Sequence, residues 1–269
     1  MSDRAAAAPP LIVIAVADPT GSDDPALATR KNELYAAGIA RHGGTPALLH
    51  VGTPPQERDR LLAAMDGLLL AGGADVDPAL YGEAVNGTAE IDRARDELEL
   101  SAWREAARRS LPVFGICRGF QAINVFSGGK LLQDVPSHAG TPYGKGPAHL
   151  HTLEIDPASR LGRAVAGAAP DGVAGGDPWD QALELEVNTF HHQAIGLDGL
   201  APALRPNAWA YSEAGRLVEG FESHEGRWVL GLQCHPERTE STPEELDVVW
   251  TDFILAASAA RTRRATPIR

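Results

Sequence analysis

The stretch that decides the fold is Pro112-Val113-Phe114-Gly115-Ile116-Cys117-Arg118-Gly119-Phe120-Gln121. A short apolar run ends at Gly-x-Cys-x-Gly and passes directly into a helical pattern through Asn124 and Val125. This is the layout of a nucleophile elbow with cysteine at its apex. A strand turning sharply into a helix pushes one side chain outward in a strained backbone state, and the residues two positions away must be small. Gly115 and Gly119 meet that demand. The helix start that follows supplies amide dipoles favouring a thiolate, the nucleophilic form of cysteine. The plain alternative is a buried cysteine ahead of a helix; the glycine pair favours the elbow.

Working outward, strand-length apolar runs at 11–17, 46–51, 67–70 and 112–116 alternate with helical segments at 31–42, 55–65 and 91–109. That alternation predicts crossover units and a mostly parallel sheet, and unbroken apolarity within the runs predicts helices on both faces. In the third helix, Ile91, Ala94, Leu98 and Ala102 fall on one predicted stripe. The second half alternates instead, with strand candidates at 149–155, 183–187, 208–212, 217–222 and 228–233, which read as antiparallel or mixed strands extending the same sheet. A last helix is signalled by Thr242 as N-cap, Pro243 behind it and Glu245 closing a capping box, with Leu246, Val249, Trp250, Phe253, Ile254 and Ala257 as its apolar face. Residues 1–10 read as a disordered lead-in, 11–260 as a single domain and 261–269 as a basic, solvated tail. The stretches at 136–147 and 166–178, rich in Gly, Pro and Asp, are linker candidates.

Composition bounds the partners. Across 269 residues, 24 Lys and Arg stand against 36 Asp and Glu, a formal net charge of −12. A surface this acidic repels phosphate backbones and anionic lipid, so neither nucleic acid nor a membrane is expected as a partner. The longest apolar run falls well short of the ~20 residues a spanning helix needs. With no signal-peptide pattern and only two cysteines, Cys117 and Cys234, a reducing cytoplasm is the expected compartment.

A thiol nucleophile needs a base, and the base needs an orienting group. Gln233-Cys234-His235-Pro236-Glu237 closes a strand with His-Pro-Glu. In extended chain, residues two apart point the same way, so Glu237 can hold the imidazole of His235 while His235 serves Cys117. The separation of 118 residues obliges the fold to bring them together. The histidines at 149, 151, 191, 192 and 235 lack any cysteine pair or HExxH-like pattern, so no metal site is expected, and no phosphate-binding loop or dinucleotide fingerprint calls for a cofactor.

Together these residues resemble the class I glutamine amidotransferase superfamily with its Cys-His-Glu triad. Within it the chain is similar to the γ-glutamyl-γ-aminobutyrate hydrolase family, the peptidase C26 group. Besides the two blocks already quoted, the resemblance rests on Gly72-Gly73-Ala74-Asp75-Val76-Asp77-Pro78, on Gly128-Gly129 with Leu132-Gln133-Asp134, and on Asn188-Thr189-Phe190-His191-His192-Gln193. It implies a three-layer α/β sandwich with a flavodoxin-like, mostly parallel sheet. It also implies hydrolysis of γ-glutamyl amides through a thioester on Cys117, with His235 and Glu237 completing the triad and the backbone amides of Gly73 and Arg118 forming the oxyanion hole. Gly72, Asp75, Gln121, Asn188, His191 and His192 then border a small γ-glutamyl substrate. The oligomeric state stays open, relatives often pairing as homodimers. Two other readings remain: a glutaminase subunit passing ammonia to a separate synthetase, and a catalytically silent protein that binds a glutamyl ligand. One departure is Cys234, where the family commonly has an aromatic; a packing role is expected for it.

Overall fold

A computed structural model describes residues 8–135, 146–167, 182–213, 215–224 and 226–265. Both linker candidates fall largely outside them, as do most of the lead-in and the last four residues. The first half builds the parallel core: β1 (Leu11–Ala15), α1 (Pro25–Arg41), β2 (Thr45–Leu49), α2 (Pro55–Ala64), β3 (Gly67–Leu70), α3 (Arg93–Arg108), β4 (Val113–Ile116) and α4 (Arg118–Phe126). The second half adds β5 (His149–Ile155), α5 (Arg160–Val165), β6 (Leu183–Thr189), β7 (Ile195–Gly196), β8 (Leu204–Ser212), β9 (Gly215–Ser223), β10 (Val229–Leu232) and α6 (Val248–Ala265).

These strands make one ten-stranded sheet in the order β2-β1-β3-β4-β10-β9-β8-β5-β6, with β7 pairing beside β9. Strands β2, β1, β3, β4 and β10 run parallel, and the pairing turns antiparallel from β10 to β9 and beyond. Along β1, Val13 and Ala15 face one way and join the side chains of α2, α3 and α4, among them Leu61, Leu98 and Ile123. Ile12 and Ile14 face the other way against α1 and α6, through Ile39, Trp250 and Phe253. Two apolar layers thus sandwich the sheet, which is why its central strands are apolar at every position. No helix among the described residues is long and apolar enough to cross a membrane.

Three expectations need correction. The capping box does not form: Pro243 precedes a 3-10 turn at Glu244–Asp247, and α6 begins only at Val248. The expected apolar face of that helix is nonetheless buried throughout. The Thr242 hydroxyl is engaged elsewhere, donating to the His235 carbonyl at 2.8 Å. Next, α6 runs into the expected tail, and Arg261 and Arg264 both reach the buried carboxylate of Asp66, at 3.1 and 2.8 Å. Finally, α3 does not bury the expected stripe. Leu98 and Ala102 are inside, but Ala94 is exposed and the buried face carries Arg95, Asp96 and Glu99. Charges are tolerated there because they neutralise one another and Arg118, as described next.

Candidate active site

Cys117 caps the first turn of α4 with φ 52° and ψ −108°, one of only two non-glycine residues in the described chain at positive φ. Such a backbone costs of order 1–3 kcal/mol and persists only where its surroundings impose it. Here they do. Gly115 and Gly119 approach so closely that a Cβ on Gly115 would lie 2.7 Å from the Gly119 carbonyl oxygen. A Cβ on Gly119 would lie 1.9 Å from the carbonyl oxygen of Leu70 on β3. The helix can meet the sheet this tightly only with glycine on both sides of the thiol. The predicted elbow is present.

His235 follows β10, the parallel neighbour of β4, so both residues leave the same end of adjacent strands. Gly72, just beyond β3, lies between them: a Cβ there would sit 2.9 Å from Cε1 of His235 and 3.6 Å from Cβ of Cys117. The imidazole and the thiol therefore face one another across a bare stretch of backbone. Behind the ring, Nδ1 of His235 meets Oε1 of Glu237 at 2.6 Å. Burial pulls the imidazole toward neutrality, but the charges of Glu237 and of Cys117 more than offset it and raise His235 from the ordinary 6.5 to about 10. The imidazolium is the favoured partner of a thiolate.

The end of β6 and the loop after it hold the base in place. Asn188 is fully buried; its Oδ1 accepts from the His235 N–H at 2.9 Å and its Nδ2 donates to the His235 carbonyl at 3.1 Å. The same amide reaches the Thr242 hydroxyl at 2.7 Å. Asn188, expected beside the substrate, thus fixes the main chain of the base. Phe190 stacks edge-on against the imidazole with ring centroids 5.5 Å apart, supplying the aromatic contact that the chain lacks at position 234. Cys234 is buried and unbridged, and burial together with Glu219 and Glu237 pushes its thiol up, so it packs rather than reacts.

Two amides await a partner. Arg118 opens α4, so its N–H has no intrahelical acceptor, and among the described residues neither it nor the Gly73 N–H is paired. Arg95 braces the Gly73 segment from behind: its Nη2 donates to the carbonyls of Ala71 and Gly72 at 2.9 and 3.1 Å. Its Nε binds Glu99 at 2.7 Å, and Arg118 bonds both Glu99 and Asp96. Burial pulls Arg95 below its ordinary range; at Arg118 burial acts the same way, but Glu99 and Asp96 outweigh it. This buried quartet joins both candidate oxyanion donors into one rigid unit. Tyr35 accepts from the Gly72 N–H at 3.1 Å, and burial, with Glu237 and Cys117 nearby, raises its phenol well above the ordinary value.

The remaining expected residues are dispersed around this core. Gln121 is buried and donates to the Gln193 carbonyl and to Gln233, both at 3.0 Å. Asp75 accepts from the Ala89 N–H at 2.7 Å and pairs with Nε2 of His192 at 3.0 Å, while Nδ1 of His192 faces Asp134 at 3.3 Å. His191 points away from that pair, toward Glu219 on β9. Burial alone raises the carboxyl of Glu219 to about 8. Sequence reasoning missed Tyr35, Arg95, Glu99, Thr242 and Glu219. For Arg95 and Glu99 a signal existed in their i, i+4 spacing beside the apolar stripe; the others carry none.

A strand-elbow-helix thiol at the carboxyl ends of a parallel sheet, backed by a His-Glu pair, defines a class I glutamine amidotransferase fold. The glutaminase domain of Trypanosoma brucei CTPS shares it with a TM-score of 0.57 at 15% identity, over 93% of this chain and 94% of that one. The peptidase C26 family model matches residues 11–237, and the chain belongs to that family. Its relatives carry varied names. Protein NtpR of Enterococcus hirae is 32% identical over 77% of this chain and 81% of its own. The γ-glutamyl-γ-aminobutyrate hydrolase PuuD of Escherichia coli is 29% identical over 83% of this chain and 85% of its own.

Proposed function

We propose that the protein hydrolyses γ-glutamyl amides through a thioester on Cys117. The observation that carries this reading is the strained cysteine at the head of α4, facing an imidazole that is hydrogen-bonded to a buried carboxylate. The Cys117 sulfur attacks the γ-carbonyl carbon, and the N–H groups of Gly73 and Arg118 receive the developing oxyanion. Imidazolium His235 gives its proton to the departing amine as the C–N bond breaks. The neutral imidazole then takes a proton from water, which attacks the thioester and releases glutamate with a free thiol. Glu237 keeps the ring in the required orientation and stabilises its cation. The relative named for γ-glutamyl-γ-aminobutyrate hydrolysis supports this substrate class, and the network on Arg95, Glu99 and Arg118 supports the placement of the oxyanion donors.

The test is release of free glutamate from a panel of γ-glutamyl-γ-aminobutyrate, γ-glutamyl-putrescine and glutamine, with Cys117→Ala as control. The expected result is turnover of a γ-glutamyl amide by the intact chain. Cys117→Ala loses that turnover while keeping the native circular-dichroism spectrum. Undiminished turnover in Cys117→Ala overturns the nucleophile. Turnover confined to glutamine, and only with a synthetase added, overturns the substrate class.

A further inference from the structure

A second cluster of reactive side chains lies outside the triad, on the antiparallel half of the sheet. Glu219 belongs to β9, but the register of β8 against β9 passes from Gly220–Ala208 to Val218–Trp209 and leaves Glu219 without a cross-strand partner. It is a bulge residue, and bulges re-aim side chains. This one turns a carboxylate into the interior, where it is fully buried and neither oxygen accepts a hydrogen bond. Two histidines from other segments converge on it. Nε2 of His151, on β5, lies 3.7 Å from one oxygen, and Nε2 of His191, in the loop after β6, lies 3.8 Å from the other.

Those separations are too long for direct hydrogen bonds. They lie a few tenths of an ångström beyond the spacing of two ligands of one ion, since metal bonds of about 2.0–2.2 Å at a near-tetrahedral angle hold neighbouring ligand atoms about 3.3–3.6 Å apart. One donor atom from each residue falls within 4.8 Å of the other two. The orientation of His191 points the same way. Its Nδ1 bonds the Gln193 carbonyl at 2.8 Å, which as the donor nitrogen leaves Nε2 with its lone pair toward Glu219. A backbone carbonyl on the far nitrogen is how proteins fix the tautomer of a metal-binding histidine.

We propose that His151, His191 and Glu219 bind one divalent first-row metal ion of the zinc type. Two imidazoles with one carboxylate suit zinc better than calcium or magnesium, which favour all-oxygen shells. The ion would join β5, β9 and the loop after β6 that carries His191 and Gln193. Gln193 also accepts from Gln121 on the helix of Cys117, so the site buttresses the wall of the thiol site without touching it. The proposal stands independently of the hydrolase reading.

The experiment uses untagged full-length Cys117→Ser protein, stripped with a chelator, so that the nucleophilic thiol cannot capture the metal. Zinc is titrated by calorimetry, and cobalt by its visible bands. One equivalent should bind, with no thiolate-to-metal charge-transfer band, and a hundredfold excess of zinc over Kd should raise Tm by about 5–10 °C. Glu219→Gln and His151→Gln should each weaken binding about 100-fold or more, whereas His235→Asn should leave it unchanged. If either ligand variant fails to fold, X-ray absorption on the zinc-loaded Cys117→Ser protein decides through its imidazole count. Absence of stoichiometric binding, binding indifferent to Glu219→Gln and His151→Gln, loss of binding in His235→Asn, or a shell without imidazole overturns the site.

Discussion

Replacing Glu237 by glutamine tests the electrostatics of the candidate triad most directly. The side chain keeps its size and an oxygen within reach of Nδ1 of His235, now 2.6 Å away, but loses the charge. In the intact protein, burial pulls the imidazole down while Glu237, ahead of Cys117, lifts it to about 10 from 6.5. Without that carboxylate the ring should fall back toward its ordinary range, each pH unit of the fall being about 1.4 kcal/mol of lost imidazolium stabilisation. Protonation of the leaving amine requires the imidazolium, so the alkaline limb of kcat/KM should move toward acid by the same interval. Activity at pH 7 should fall on the order of 10⁴-fold, as when an orienting carboxylate becomes an amide. Stability carries the same signature. A group raised from 6.5 to about 10 contributes fully below pH 6.5 and loses that contribution as pH climbs to 10, so the variant's deficit should be widest near 6.5 and narrow toward 10. The assays are glutamate release against pH and NMR titration of the His235 ring, the latter needing no substrate. An alkaline limb and a ring resonance that both titrate where they do in the unaltered protein would refute the reasoning.

Other substitutions probe how the site is held. Asn188→Ala removes the acceptor for the His235 N–H inside the protein and should cost about 1–3 kcal/mol in urea unfolding, with kcat falling more than KM changes. Thr242→Val deletes the hydroxyl bonded to the His235 carbonyl and should cost about 1 kcal/mol by the same measurement, whereas a true helix N-cap would show its loss in helical content instead. Gly119→Ala drives a methyl group into the Leu70 carbonyl oxygen 1.9 Å away, a contact with backbone that no side-chain rotation relieves. It should lower stability by about 4 kcal/mol or more, seen as lost soluble yield or a collapsed melting transition. Arg95→Met leaves Glu99 with a single cation and releases the Ala71 and Gly72 carbonyls, so a loss of about 3–5 kcal/mol and a lower kcat are expected.

Local chemistry made much of this protein legible before any coordinates. The parallel strands were visible because a strand covered on both faces must be apolar at every position, and the elbow because only glycine permits helix and sheet to meet at the distances found at Gly115 and Gly119. The His-Pro-Glu pair was visible because a two-residue period sends both side chains the same way. These are short-range constraints, and short-range constraints leave a mark in the order of residues. Long-range ones do not. Nothing near Asn188 in the chain says that its amide closes on the backbone 47 residues further on, or that Thr242 serves the same carbonyl rather than capping a helix. Nothing in the order of residues said that folding would set Arg95, Asp96 and Glu99 of α3 against Arg118 in the interior. Likewise Glu219 turned inward only because a register shift between β8 and β9 put it there. Sequence alone pointed to the candidate reactive residues and to the parallel strands of the first half. Tertiary structure decided which distant polar groups hold them still, because a buried charge or amide must find its partner wherever the fold brings one.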